Sequence, residues 1–302
     1  MLITSKDNNR IKEVRKLLNK KYSIEKGLFV IEGENLVEEA IKNNLLVELF
    51  VLENYECNYD VPYDIVTLDV MKSMSDLKST PRLLGVAKIK NDNKIGSKIL
   101  ILDGVQDPGN AGTIIRNSVA FDIDTIIFSN DSVSPYNEKV LRSTGGMIFN
   151  TNIIIGNIEE LISEIKNRNI KVIGTSLKSS ISLEKLEKTR EFAIIFGNEG
   201  NGVKDNILSL CDEIVRIDMN PKCESLNVGV STAIILYYLY YFCSSYFSFL
   251  TIASICNVII VGSSIIYSCC ITLGVFCRIF KIMAKIWCDT INRFTTRHDS
   301  II

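Results

Sequence analysis

The chain has 302 residues, enough for two domains, and its 47% of hydrophobic residues can fill real cores. A formal net charge of −1 excludes the strong global basicity of many nucleic-acid-binding proteins, so binding of any polyanion would need local basic patches. The single histidine, His298, argues against a zinc site and against a Ser-His or Cys-His couple in the body, and we predict no metal.

Cysteine usage indicates a reducing compartment. Of the nine cysteines, six lie between Cys243 and Cys288, and no paired C-x-x-C with downstream histidines occurs. Reduced thiols and a cytoplasmic location are therefore expected. The first twenty residues are charged and polar, which predicts no secretory signal.

Residues 4–21 predict a basic amphipathic helix, in which Ile11, Val14, Leu17 and Leu18 recur at helical spacing. Two interpretations stay open for its charged side: an ordinary solvated helix face, or a patch that contacts phosphates. The basic side chains concerned are Lys6, Arg10, Lys12, Arg15, Lys16, Lys20 and Lys21.

A small α/β unit follows, with apolar strand candidates alternating with a helical pattern over 34–42. The strand candidates are 28–31, 47–52, 65–68 and 84–89. We assign residues 1–90 to this first domain. Residues 91–97 are polar and suit a linker.

From residue 98 the pattern becomes a repeated apolar strand followed by an amphipathic helix, which predicts a mostly parallel sheet covered on both faces. Strands are predicted at 99–102, 125–128, 152–155, 171–173, 192–196 and 213–217, and helices at 111–120, 137–146, 158–167, 203–210 and 226–242. This second domain spans residues 98–243. Its ligand is expected beyond the carboxyl ends of the strands.

Three polar loops lie at those ends: residues 106–117, 196–202 and 217–227. The second has three glycines, which allow a tight turn and close approach to a ligand, but it matches neither a dinucleotide fingerprint nor a Walker sequence. The third precedes a helix for which Ser225 is the predicted N-cap. Singly, each loop is also explained as a structural turn.

Taken together, the runs DPGNAGTIIRNS, FGNEGNG and IDMNPKCESLNVGVSTAI closely resemble the SpoU family of RNA ribose 2′-O-methyltransferases, in the knotted SPOUT superfamily. The run GLFVIEGENLVEEAI resembles the RNA substrate-binding domain often fused to these enzymes. The resemblance implies a trefoil-knotted α/β methyltransferase domain preceded by a small α/β RNA-binding domain. It also implies transfer of a methyl group from S-adenosylmethionine to a ribose 2′-hydroxyl of ribosomal or transfer RNA.

The resemblance carries roles to matching positions. Arg116 matches the family's catalytic arginine, either as proton acceptor or as a clamp for the target phosphate and forming alkoxide. The remaining polar motif positions, expected to orient Arg116, the ribose and the loops, are Asn110, Glu199, Ser225 and Asn227. Cofactor contacts are implied at Gly197, Ile217 and Leu226, with Thr175 as a secondary candidate. By composition alone, Ile217 and Leu226 are ordinary core residues.

The family is generally dimeric, so the resemblance implies a homodimer in which Arg116 reaches the partner's cofactor site. Arg142 and Ser143 either approach RNA or occupy a solvated helix face. The alternative function is that of a catalytically silent RNA-binding member. Against silence stand the intact motif positions Asn110, Arg116, Glu199, Ser225 and Asn227.

The sequence departs from the family after Tyr237, because no charged residue occurs from Ser225 to Cys277. The segment 244–277 is long enough to cross a bilayer once, with Arg278, Lys281 and Lys285 beyond it. Three interpretations compete for the tail 244–302: a membrane anchor, an apolar element covering the enzyme, or an out-of-frame extension. The abrupt change of composition favours a poorly structured or artefactual tail over an anchor.

Overall fold

The N-terminal half is built around a mixed five-stranded sheet. The computed structural model describes residues 2–77, 79–90, 94–187 and 189–240. Its first elements are β1 (Leu2–Ile3), α1 (Asn9–Lys16), α2 (Lys20–Lys26), β2 (Leu28–Glu32), α3 (Glu34–Lys42), β3 (Leu46–Leu52), β4 (Asp64–Val66), α4 (Leu68–Met74) and β5 (Leu83–Lys88). The strand order is β1-β4-β3-β5-β2, parallel except where β5 pairs with β3 and β2.

The prediction of one basic helix over 4–21 is wrong, because the chain breaks it into α1 and α2. Asn19 lies between them and its side-chain oxygen accepts hydrogen bonds from Lys21 N–H and Tyr22 N–H. An asparagine in this capping position starts a new helix rather than continuing the old one. The strand predicted at 65–68 is also shorter, since Leu68 already begins α4.

The second half is a seven-stranded parallel sheet, which confirms the predicted architecture. Its elements are β6 (Lys98–Asp103), α5 (Pro108–Ala120), β7 (Thr125–Ser129), α6 (Glu138–Thr144), β8 (Asn152–Gly156), α7 (Ile158–Asn167), β9 (Lys171–Thr175), β10 (Ile181–Ser182), β11 (Phe192–Gly197), α8 (Asp205–Leu208), β12 (Glu213–Arg216) and a final helix α9 over 228–240. The order is β10-β12-β9-β11-β6-β7-β8. Sequence analysis missed the short strand β10 and made the helix at 203–210 too long. The knot stays a prediction.

Alternation along the central strands explains why both faces are covered. In β6, Leu100 and Leu102 belong to one apolar core, whereas Ile99 and Ile101 belong to another on the opposite face. Successive side chains of a strand point to opposite faces, so a strand that is apolar throughout needs cover on both.

The two sheets share an apolar core. Phe29 of β2 lies in the same cluster as Leu100, and its ring centroid is 4.8 Å from that of Tyr136 and 5.8 Å from that of Phe149. Ile95, in the predicted linker, is buried against the second core, while residues 91–93 lie outside the described residues. The first sheet is therefore packed on the second, and is not merely tethered to it by residues 94–97.

None of the helices in the described ranges is long and apolar enough to cross a bilayer. The segment 244–277, for which an anchor was weighed, and the rest of the tail to residue 302 lie outside the described residues. The three cysteines in the described part, Cys57, Cys211 and Cys223, carry free thiols.

Candidate active site

Parallel strand pairing brings three of the four predicted cofactor positions to neighbouring strand ends. The strands β12, β9 and β11 are adjacent, with Val215 paired to Thr175 and Ile195 to Gly174. Thr175 and Gly197 are the last residues of their strands, and Ile217 follows β12 directly. The structure extends β9 to Thr175, two residues beyond the predicted strand. The carboxyl edge of the sheet thus collects Gly197, Thr175 and Ile217.

A chain of three side chains joins the three polar loops at this edge. Asn110 Nδ2–H donates to Glu199 Oε1 at 3.0 Å, and Asn227 Nδ2–H donates to Asn110 Oδ1 at 2.8 Å. The residues are separated by 89 and 117 positions in sequence, so only tertiary folding brings them together. We call Asn110, Glu199 and Asn227 the amide–carboxylate chain.

Glu199 holds the start of α5 through backbone contacts as well. Its carboxylate accepts N–H from Gln106 at 3.2 Å and from Asp107 at 3.1 Å. Partial burial opposes ionisation, but the hydrogen bonds from Asn110 and from these backbone groups hold the pKa of Glu199 below its ordinary value. The ionised carboxylate of Glu199 therefore links loop 198–202 to loop 106–110 through these hydrogen bonds.

Asn227, and not Ser225, caps the last helix. Asn227 Oδ1 accepts Gly229 N–H at 2.9 Å and Val230 N–H at 3.3 Å, and α9 begins at residue 228. The predicted N-cap at Ser225 is wrong by two residues because Asn227 also reaches Asn110, which fixes it at the helix start. Ser225 lies exposed in the preceding loop, and the structure does not join it to the amide–carboxylate chain.

Gly197 is required by the close approach of its own chain. A Cβ atom at Gly197 would lie 2.0 Å from the backbone carbon of Gly202 and from the nitrogen of Val203. The loop between is closed by paired backbone hydrogen bonds, Asn198 N–H to Gly202 C=O at 3.0 Å and the reverse at 2.9 Å. We predicted that the glycines let a ligand approach; at Gly197 the close contact is made by the protein itself.

Sequence reasoning missed an ion-paired support beneath this loop. Lys204 Nζ lies 2.9 Å from Asp103 Oδ1 and 2.7 Å from Asp131 Oδ2, and Asp103 is 1% exposed. Asn198 Nδ2–H also donates to Gly104 C=O at 2.8 Å. The available signal was the charged Asp103 at the end of an apolar strand, where a buried carboxylate needs a partner.

Arg116 is exposed on α5, and it makes no hydrogen bond or ion pair within the described part of the chain. One turn earlier, Thr113 packs near Gly229, and one residue later Asn117 Nδ2–H donates to Gly229 C=O at 2.9 Å. Arg116 therefore lies beside the start of α9, and its guanidinium is not joined to the amide–carboxylate chain.

The loop 217–226 has the chemistry that an adenosine group requires. Ile217 and Leu226 are half-buried aliphatic residues that can cover a flat apolar ring. Among the described residues, one backbone-to-backbone hydrogen bond closes inside this loop, from Cys223 N–H to Asn220 C=O at 2.9 Å. Side chains of the loop use further backbone groups, since Asn220 Oδ1 accepts Lys222 N–H and the Cys223 thiol donates to Ser225 C=O. Aliphatic side chains together with backbone donors and acceptors are groups that fit S-adenosylmethionine. Within the described ranges no group of His, Cys, Asp or Glu side chains is arranged to hold a metal.

The predicted basic patch is divided by the fold. Three of its cations are used within the protein: Arg10 Nη atoms bind Glu48 at 2.6 Å and Asp64 at 2.7 Å, Lys12 pairs with Asp7, and Lys16 pairs with Glu13. The others are exposed and form no ion pair among the described residues; they are Lys6, Arg15, Lys20 and Lys21. These four are the cations left for phosphate contacts.

Comparisons with known proteins agree with this geometry. Residues 97–237 match the model of the SpoU rRNA Methylase family, and residues 8–85 match the MRM3-like substrate binding domain. A relative from Bacillus subtilis (strain 168), 23S rRNA (guanosine(2553)-2′-O)-methyltransferase RlmP, is 31% identical over 243 residues, which cover 78% of this chain and 98% of the relative.

Two crystal structures extend the likeness to three dimensions. An RNA 2′-O ribose methyltransferase is 26% identical with a TM-score of 0.65, covering 78% of this chain and 97% of that one. An AdoMet-bound rRNA methyltransferase from Sinorhizobium meliloti is 25% identical with a TM-score of 0.68, covering 78% and 96%. The family resemblance predicted from the three motifs is thereby confirmed: the chain belongs to the SpoU rRNA methylase family.

Proposed function

We propose that this protein transfers a methyl group from S-adenosylmethionine to a ribose 2′-hydroxyl of ribosomal RNA, in the cytoplasm. The observation that carries this proposal is the amide–carboxylate chain, which joins the three motif loops at the carboxyl edge of the parallel sheet. Ribosomal RNA is favoured over transfer RNA because the Bacillus subtilis relative, matched over 98% of its length, is named for methylation of 23S rRNA.

The protein's residues would mainly align the methyl donor with the ribose hydroxyl, and would activate them less. When bound, S-adenosylmethionine supplies a methyl group already activated by the positive sulfonium. Its adenosine part would be held by backbone groups and apolar side chains of Gly197, Thr175 and Ile217 at the carboxyl edge, and of Leu226 in the loop that follows β12. Asn110, in the first turn of α5, and Asn227, just before α9, are joined by a hydrogen bond and can together hold the ribose in line.

Arg116 serves as a clamp in this proposal. A guanidinium rarely gives up a proton, but it binds phosphate with two parallel hydrogen bonds and stabilises a developing negative charge. Its exposed position without a partner in its own described chain suits a group that engages RNA. The 2′-hydroxyl proton then passes to solvent as the C–O bond forms and the C–S bond breaks.

A second copy of the chain completes the site. Helix α9 presents an apolar stripe of Val230, Ile234 and Tyr237, which are 48%, 38% and 56% exposed. Their spacing places them on one face, and such a face on a protein surface indicates an interface. Arg116 lies beside the start of this helix, so a partner packed on the stripe would be within its reach.

Transfer is tested with radiolabelled S-adenosylmethionine and RNA that lacks 2′-O-methylation. Incorporation at one ribose, mapped by resistance to alkaline cleavage, is the expected result. Binding of S-adenosylmethionine without transfer to any RNA would instead favour the catalytically silent RNA-binding alternative.

Sharing of sites is tested by mixing subunits. Arg116→Ala and Asn227→Ala chains are each expected to be inactive, whereas an equimolar mixture refolded together recovers about a quarter of wild-type activity, because each mixed dimer keeps one intact site. Arg190→Ala is the matched control, since Arg190 is exposed just before the amino end of β11. No recovery in the mixture would place Arg116 and Asn227 in the same subunit's site.

A further inference from the structure

A groove runs between the N-terminal domain and α6, outside the cofactor site. It consists of two cavities of about 370 and 490 Å³ that share Glu32, Leu36 and Arg142 as walls. The first also touches Leu17 at the end of α1 and Pro108 at the start of α5. Volumes of a few hundred Å³ suit a single nucleotide-sized ligand.

Glu32 is the buried polar group in this groove. It is the last residue of β2, is 9% exposed, and its Oε2 accepts the Ser75 hydroxyl at 2.9 Å. Burial raises the pKa of Glu32 to about 7, against the hydrogen bonds from Ser75 and the Asp76 backbone, and the charges of Glu138 and Asp76 act in the same direction as burial. No cation of the described chain lies within ion-pair distance of this carboxylate. The carboxylate is therefore held by hydrogen bonds from Ser75 and the Asp76 backbone, without a positive partner among the described residues.

The positive groups lie farther out along the groove. Arg142 lines both cavities with its side chain 63% exposed, and it approaches Glu138 at 3.3 Å. Arg82 lines the second cavity. Helix α3 begins there too, and its N-cap Gly33 supplies no side-chain cap for the first backbone N–H groups. The groove thus has a hydrogen-bond acceptor, Glu32, in its interior and hydrogen-bond donors at its rim. This arrangement matches a nucleotide whose base enters the groove while its phosphate stays outside.

We propose, building on the function proposed above, that this groove binds a guanine base of the RNA substrate, with Glu32 accepting hydrogen bonds from the Watson–Crick edge and Arg142 binding the adjoining phosphate. Guanine presents two neighbouring donors on that edge, its ring N–H and its 2-amino group. Adenine, cytosine and uracil each present one. An ionised carboxylate has two oxygens that can each accept a hydrogen bond, and it has no donor. Guanine is therefore the base that it can bind through two parallel hydrogen bonds.

The lining of the groove includes residues that are close in sequence to cations of the first domain and to the carboxyl edge of the second sheet. Lys20 and Lys21 begin α2, close in sequence to Leu17 and Leu18, which line the groove. At the other end, Pro108 is two residues from Asn110 of the amide–carboxylate chain. An RNA strand bound along this path would place a base in the groove and a nearby ribose at the methyl-transfer site.

The test uses the full-length chain and fluorescein-labelled RNA pentamers of uridines with a central G, A, C, U or inosine, followed by fluorescence anisotropy. The G pentamer is expected to bind about tenfold tighter than the others. Inosine, which lacks the 2-amino group, should fall between G and A. In Glu32→Gln the preference for G drops to less than about twofold. Affinity for the all-uridine pentamer stays the same.

Two further variants separate base reading from general effects. Arg142→Ala should weaken all five pentamers alike, and Lys72→Ala, an exposed lysine of α4 away from the groove, should change none. The G preference should also grow from pH 6 to pH 8 as Glu32 ionises. The polar and charged groups around it are Glu34, Asn35, Ser75, Asp76, Arg82, Tyr136, Asn137, Glu138, Lys139 and Arg142. This pH dependence should vanish in Glu32→Gln.

Equal binding of all pentamers by the wild type would overturn the inference, as would a Glu32→Gln variant that keeps the G preference or weakens every pentamer equally. Methyl transfer and S-adenosylmethionine binding are measured separately on the same preparations. If the protein prefers G but transfers no methyl group, the proposed function is contradicted and the inference about the groove is retained. If it transfers methyl groups without a base preference, the inference about the groove is contradicted and the proposed function is retained.

Discussion

Two glutamates show how differently the protein treats its two polar regions. Glu199 at the carboxyl edge accepts three hydrogen bonds that hold its pKa below the ordinary value. Glu32 in the groove is more deeply buried, and its pKa rises to about 7. The region around Glu199 is organised by donors of the protein itself, whereas the groove leaves a carboxylate that a ligand's donors would stabilise.

The strongest way to break the organised region is Gly197→Ala. The new methyl group would overlap the backbone of residues 202 and 203, which no side-chain rotation can relieve. Unfolding free energy from denaturant titration should fall by about 4 kcal/mol or more, and binding of S-adenosylmethionine by calorimetry should be lost.

The matched control for that change is Gly200→Ala, in the same loop. The nearest atom to its new methyl group would be Asn198 Oδ1 at 3.6 Å, an ordinary contact. Its stability should stay within about 0.5 kcal/mol of the wild type. Equal losses in both variants would contradict the close-approach explanation for Gly197.

Asn110→Ala removes the centre of the amide–carboxylate chain. The rate of methyl transfer should fall about 100-fold or more, because neither Glu199 nor Asn227 keeps its side-chain partner. Single-turnover rates with labelled S-adenosylmethionine measure this loss. Asn167→Ala, an exposed asparagine at the end of α7, should retain the wild-type rate. A normal rate in Asn110→Ala would show that the chain of hydrogen bonds is only structural.

Glu32→Gln sharpens the comparison through its pH dependence. Because the folded pKa of Glu32 lies above that of a free carboxyl, its protonated form favours folding at low pH, and this stability is lost as pH rises from about 4.5 to 7. The variant should match the wild type near pH 4.5 and exceed its unfolding free energy by about 3 kcal/mol at pH 8. A variant less stable at pH 8 would mean that the carboxylate is already compensated.

The smallest effects are expected at the basic helices. Arg10→Ala loses two partly exposed ion pairs, so stability should fall by about 1 kcal/mol while RNA affinity is unchanged. Replacing both Lys20 and Lys21 by alanine should have the opposite profile, with unchanged stability, weaker RNA binding, and a reduced slope of affinity against salt. Equal RNA affinities for both variants would show that α2 is not part of the RNA-binding surface.

Local pattern was sufficient for the elements of the large sheet. Strands β6 and β7 and helix α7 lie within a residue of their predicted bounds, because each is a strongly periodic run ended by polar residues. The pattern failed where two residues compete for one role. Both Ser225 and Asn227 can cap a helix, and the contact from Asn227 to Asn110, 117 residues away, chooses between them.

The family could be read from the order of residues alone, because three motifs in the family's order and spacing are far more specific together than any one of them. Long-range packing supplied the rest. The burial of Glu32 depends on α6 closing over β2, and the need for glycine at position 197 depends on residues 202 and 203 folding back upon it. Both are consequences of which surfaces meet, and a linear pattern carries no information about distances between elements that are far apart along the chain.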